Sequence, residues 1–166
     1  MESRKARKDT WRIGVDNTAL VVIDMQRAFV DKGSPLECPG AEALVPGINE
    51  IAATCRSLRI PVIFVKVDSR DDLSDAGLSP EFAHWPENHE MIPRQGRIGN
   101  EFCAGLHVSS KDYVVPKIRY SAFIPGSSTL EPLLRGLGRD RFMICGVATD
   151  VSFNSEIVRA GINYHF

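Results

Sequence analysis

Four short apolar runs, each bounded by turn-forming or charged residues, punctuate the chain: 19–23 (ALVVI), 61–67 (PVIFVKV), 113–115 (YVV) and 141–145 (RFMIC). They are rich in Val and Ile and lack strict polar alternation, the pattern of strands buried on both faces of a parallel sheet. Between the first two, Ile48, Ile51, Ala52, Cys55 and Leu58 recur at helical spacing behind the punctuation of Pro39 and Gly40, which predicts a β-α-β unit. Ahead of the fourth run, Leu130, Leu133, Leu134 and Leu137 supply an apolar face. Ser128 and Glu131 there have capping-box spacing and Pro132 suits a first turn, so a second crossover helix is expected. Strands alternating with helices give a three-layer α/β/α fold around a mainly parallel sheet, whose ligands sit beyond the carboxyl ends of the strands.

The segment 69–111 breaks this rhythm. Pro80, Pro86, Pro93, Gly96 and Gly99 make it read as loop with short helical pieces, a wall or lid for a pocket, with no strand placed in it. No repeat or linker divides the chain, and 166 residues with 43% hydrophobic and 25% charged content suit one domain. Residues 1–16 read as a basic, polar tail and 17–166 as the domain. Twenty basic against 21 acidic residues leave a net charge of -1, which gives no field that draws nucleic acid or an anionic membrane. A small-molecule partner fits better. Cys38, Cys55, Cys103 and Cys145 form no C-x-x-C pair and read as reduced thiols. With no apolar signal-like stretch near the start, the expected location is the cytoplasm.

Three strand ends carry polar groups where the apolar pattern calls for none: Asp24 after ALVVI, Lys117 after YVVP, and the run Gly146 to Ser152 after RFMIC. Each has an ordinary explanation alone, since an Asp after a strand is often a cap, a Lys is usually solvated and a Gly-Val-Ala-Thr run is often simply a turn. Their joint pattern is more specific. VVIDMQRAF, VVPKIRYSAF and ICGVATDVSFNS, in that order, resemble the three signature blocks of the isochorismatase-like (cysteine hydrolase) family over roughly residues 19–160.

That resemblance implies a catalytic triad of aspartate, lysine and cysteine, with Asp24 and Lys117 in the first two places. Ser152 stands where the family has its cysteine. It also implies a cis peptide between Val147 and Ala148 that turns the amides of Ala148 and Ser152 toward an oxyanion, with Gly146 easing the tight backbone. Gln26, Phe29 and Phe123 are the residues it places at the substrate. Neither cofactor nor metal is expected. The Asp-x-His of zinc-holding relatives is here Asp68-Ser69-Arg70, and His84 and His89 do not have a common zinc spacing.

A thiol beside a cation at a helix start ionises near neutrality, and an aspartate suffices as its base, whereas a serine hydroxyl usually needs an imidazole that the three blocks lack. Ser152 is thus a poor nucleophile, and Cys145, inside a predicted strand, reads as a buried inert thiol. The leading expectation is an amide or carbamoyl C–N hydrolase whose activity Ser152 compromises. The alternatives are a catalytically dead member acting as a binding protein, and a vinyl-ether hydrolase using Asp24 as general acid. Family members continue past the third block through a helix, a strand and a closing helix. Here Ile157, Val158 and Ala160 continue the helix, and residues 162–166 would start the next strand without its cover, so a truncated domain and a homo-oligomer are expected.

Overall fold

The computed structural model describes residues 14–75 and 89–147. Among these residues four strands build one sheet: β1 (Thr18–Ile23), β2 (Val62–Val67), β3 (Tyr113–Lys117) and β4 (Arg141–Gly146). Their order is β3-β2-β1-β4 and every pairing is parallel. β1 is buried at all six positions, as its unbroken apolar run requires for a central strand with both faces covered. Registers such as Ile23 with Val65, Ile23 with Gly146 and Val67 with Lys117 align the carboxyl ends of all four strands along one edge.

Among the described residues three α-helices accompany them: a single turn α1 (Arg27–Val30), α2 (Val45–Ser57) and α3 (Leu130–Gly136). Ile48, Ala52 and Cys55 of α2 pack on Leu20, Val22, Val62 and Phe64, while Leu130 and Leu134 of α3 pack on Ala19, Val21, Ile23, Ile63 and Val65. Alternate residues of β1 and β2 thus serve opposite faces, and the sheet has an apolar layer on each side. This is the three-layer arrangement expected from the sequence.

Local details differ. Ile51 and Leu58 share the helical spacing but lie on the flank of α2 and are exposed. The capping box does not form: Thr129 is the N-cap of α3 without a side-chain bond. The Ser128 hydroxyl instead accepts from Leu130 N–H at 3.1 Å and donates to the Ala122 carbonyl at 2.7 Å, and Glu131 pairs with Arg135 one turn on. The third strand runs two residues beyond the expected one, so Lys117 is its last member rather than a residue after it. Pro116 is tolerated there because β3 is at the edge of the described sheet.

Of the loop 69–111, the described residues hold a 3-10 turn (Ile98–Asn100) and no strand, and they double back so that Ser69 and Arg94 form a bridge. No described helix is long and apolar enough to cross a membrane. The tail residues 1–13, His84, Ala148, Ser152 and the expected helix and strand over 157–166 lie outside the described residues.

Candidate active site

β1 ends in Ile23, and Asp24 N–H still donates to the Val65 carbonyl at 2.9 Å. At Asp24 the backbone then turns to a positive φ of 55°, a conformation that costs a non-glycine residue energy and recurs where a side chain has to be aimed. Lys117 closes β3, two strands away across β2. Two inter-strand steps are roughly 9–10 Å, a gap that a long side chain from one strand and a short one from the other can bridge. They do so here: Lys117 Nζ donates to Asp24 Oδ2 at 2.7 Å and to the Tyr120 carbonyl at 2.6 Å. Lys117 is 1% exposed and Asp24 4% exposed. Ninety-three residues of sequence separate the partners.

The third expected contributor enters from β4. Gly146 has φ 126°, and a Cβ there would stand 2.1 Å from the Ile23 carbonyl oxygen, so only glycine lets β4 pass this close to β1. Val147 follows, buried, its N–H donating to the same Ile23 carbonyl at 3.1 Å. The run that leads to Ser152 therefore leaves the sheet next to Asp24. Ala148, Ser152 and the peptide between Val147 and Ala148 fall beyond the described residues.

The three expected substrate residues are placed differently. Gln26 is wholly buried: its Nε2 donates to the carbonyls of Val67 (2.8 Å) and Asn100 (3.1 Å), and its Oε1 accepts from Val67 N–H at 2.8 Å. Its amide thus locks the end of β2 to the loop. Phe29 packs into the apolar layer under α2. Phe123 stacks on Phe142 with ring centroids 5.5 Å apart, and Phe142 pairs with Ala19, five residues and roughly 16 Å of strand before Asp24. Asp24 and Lys117 are brought together, Val147 lies beside Ile23, the residue before Asp24, and the Phe123 ring lies on Phe142.

The sequence offered no signal for Asn100, yet it organises the end of β2. Its Nδ2 donates to Asp68 Oδ1 at 2.9 Å and to the Val67 carbonyl at 3.1 Å, while Lys66 Nζ donates to its Oδ1 at 2.5 Å. Lys66 also stands 5.6 Å over the Phe102 ring, and burial lowers its pKa against the opposing pull of Asp68 and Glu101. Among the thiols, burial pushes Cys145 up to about 12 and Cys103 up to about 11, so both stay protonated and unreactive at neutral pH. Among the described residues no three His, Cys, Asp or Glu side chains gather as metal ligands would.

Comparison with known proteins adds the following. The family model of the isochorismatase domain matches residues 18–163. A ureidoacrylate amidohydrolase of Pseudomonas savastanoi pv. phaseolicola is 30% identical over 169 aligned positions, covering 92% of this chain and 68% of the relative. A probable inactive nicotinamidase of Arabidopsis thaliana is 31% identical, covering 85% of this chain and 69% of the relative. A crystal structure of a cysteine hydrolase from Pseudomonas syringae pv. phaseolicola superposes with a TM-score of 0.75 at 28% identity, over 85% of this chain. The match spans 64% of that structure's length.

Proposed function

Since the chain belongs to the isochorismatase family, we propose that it is a small-molecule hydrolase that cleaves an amide or carbamoyl C–N bond where Asp24 and Lys117 meet. The observation that carries this reading is the buried 2.7 Å pair itself, assembled from two strands at the edge where parallel sheets hold their ligands. A buried lysine matched to a buried carboxylate gives a site in which charge developing on a substrate carbonyl is felt strongly, because water does not screen it. The relative named for ureidoacrylate acts, by that name, on a ureido compound, the kind of bond proposed here.

In this reading Asp24 takes a proton from the attacking group and returns it to the departing nitrogen, while Lys117 holds Asp24 in place and keeps the oxyanion region positive. Water supplies the oxygen that ends on the carbonyl carbon, and nitrogen leaves carrying the proton. Val147 N–H is engaged by Ile23, so the oxyanion donors fall to the amides after it, those of Ala148 and Ser152 in the family pattern. Cys145 and Cys103, held protonated by burial, do not replace the absent thiol. Ser152 as nucleophile leaves the native chain slow.

The test is a pair of variants assayed on a panel of amides and ureido compounds. Ser152→Cys is expected to raise kcat/KM on at least one compound, and Asp24→Asn in that background to lower it by about 10²–10⁴-fold. Silence of Ser152→Cys across the panel would sink the reading. A second reading, a family member that binds ligand without turning it over, is favoured by Ser152 and by the likeness to the probable inactive nicotinamidase. It predicts ligand binding by the native chain and no turnover by either serine or cysteine form. An ether-cleaving enzyme would instead be indifferent to Ser152→Ala and lost with Asp24→Asn.

A further inference from the structure

A ring of contacts closes around the Asp24–Lys117 pair, and most of its links lie outside the pair itself. From Lys117 it passes to Asp68, whose N–H donates to the Lys117 carbonyl at 3.1 Å. From Asp68 it passes to Asn100, whose Nδ2 donates to Asp68 Oδ1 at 2.9 Å and to the Val67 carbonyl at 3.1 Å. The turn that carries Asn100 then runs antiparallel beside the residues that follow Asp24. Arg27 N–H donates to the Glu101 carbonyl at 2.9 Å, and Cys103 N–H donates to the Met25 carbonyl at 3.0 Å. Gln26 spans the middle, bonded to Val67 and to the Asn100 carbonyl.

Asp24 needs such a frame. Its φ of 55° is a conformation that a non-glycine residue leaves unless its neighbours hold it there. On one side its own N–H is fixed to Val65; on the other, Met25 is fixed to Cys103 and Gln26 to Val67. Asn100 is the side chain that fastens the 100–103 turn to the end of β2. It is buried, and its amide fits in one orientation: half-buried Lys66 donates to Oδ1 at 2.5 Å, which turns Nδ2 toward the oxygens of Val67 and Asp68. The reversed amide would set its NH₂ against the ammonium and its oxygen against two acceptors, so Lys66 decides the orientation.

We infer that Asn100, oriented by Lys66, is a positioning residue for the Asp24–Lys117 pair: it holds Asp24 in the backbone conformation that aims its carboxylate at Lys117. The inference rests on the C–N hydrolase reading for its effect on turnover, while its effect on the pair is read without substrate. Without Asn100 the turn comes away from β2, Asp24 relaxes, and its carboxylate moves relative to Lys117. A displacement of about 1 Å is enough to slow a positioned reaction about 10²-fold.

The test is the side-chain ammonium signal of Lys117 in an NMR spectrum of the full chain labelled with ¹⁵N-lysine, assigned by its disappearance in Lys117→Arg. A buried ammonium bonded to a carboxylate exchanges its protons slowly enough to be seen, and the native chain is expected to show it. Asn100→Asp sets a like charge against Asp68, and it should shift that signal or broaden it beyond detection. In the Ser152→Cys background the same change should lower kcat about 10–100-fold with KM within about threefold. Lys66→Met should move the signal in the same direction by less, and it carries the test if Asn100→Asp fails to fold. Leu134→Ala, a core change under α3, is the control: it should lower the unfolding midpoint and leave the Lys117 signal in place. A merely structural Asn100 would behave as Leu134 does. An unmoved Lys117 signal in Asn100→Asp or Lys66→Met, an equal change in Leu134→Ala, or no such signal in the native chain overturns the positioning role. A moved signal with Ser152→Cys silent on every compound leaves that role standing and sinks the hydrolase reading. Turnover that Asn100→Asp leaves intact, with the signal unmoved, does the reverse.

Discussion

Carboxylates meet cations in two neighbouring regions of this protein, and the two sets have little in common physically. At the sheet edge, Asp24 and Lys117 face each other with side chains 5% and 1% exposed. In the loop that follows β2, Asp72 and Arg70 pair in side chains 59% and 58% exposed, and Asp71, 56% exposed, reaches the more sheltered Arg97, 14% exposed. Exposed pairs are screened by water and salt and are worth little. The buried pair has given up hydration on both partners, so each depends on the other, and that dependence makes the pair useful to chemistry and hazardous to lose. The likeness of residue types conceals a difference of role that burial alone creates.

The largest expected effect comes from breaking the buried pair. Lys117→Met should cost about 3–5 kcal/mol in urea denaturation, because Asp24 is left charged and unmatched below the surface. Adding Asp24→Asn to that variant should return part of the loss, since the second change removes the stranded charge. If Lys117→Met were as stable as the native chain, the pair would not be the buried unit described here.

A neutral change at the same edge should have an intermediate effect. Gln26→Leu removes three buried hydrogen bonds and leaves Val67 N–H without its acceptor, with an expected loss of about 1–3 kcal/mol. It should also loosen the contact between β2 and the Asn100 turn, read as faster amide exchange at Val67. A loss as large as that of Lys117→Met would mean that hydrogen bonding, not charge burial, dominates this edge.

The exposed pairs should give the smallest response. Arg70→Ala, at a side chain 58% exposed, is expected to leave the midpoint of unfolding within error of the native value. The hydrogen bond to Arg97 lowers the pKa of Asp71 and that to Arg70 lowers the pKa of Asp72, both from an ordinary 3.8. A carboxyl group depressed in the folded state stabilises it at pH above the ordinary value and loses that contribution as pH falls through the depressed one. Protection from hydrogen exchange in residues 69–75, relative to an unstructured chain at the same pH, should therefore be unchanged from pH 7 to pH 5 and fall only below about 3.8. A fall in protection near neutral pH would show that something other than these carboxylates holds the loop.

How far the sequence foretold this is clearest at individual residues. Val21 and Val22 announced a central strand because a parallel strand covered on both faces tolerates no polar position, and Asp24 stood out because it ended that run. Asn100 gave no such warning. It sits in a loop whose Gly and Pro content says only that the backbone turns, and its role depends on what Val67 and Asp68 place beside it. Phe123 lay in a block that resembled the family's, and its ring stacks on Phe142 in the apolar layer on the α3 face, a partner that the sequence did not point to.

The sequence by itself determined the order of strands and helices, the apolar layers and the glycine at 146, since these follow from period, run length and the steric demand of one tight approach. It marked Asp24 and Lys117 as out of place but could not say that they touch. Their contact required β1 and β3 to flank β2 with their carboxyl ends aligned, a consequence of strand order and register that no local stretch encodes. Burial was decided at that same level: an aspartate and a lysine are solvated residues until the tertiary fold removes the water, and only then does each need the other.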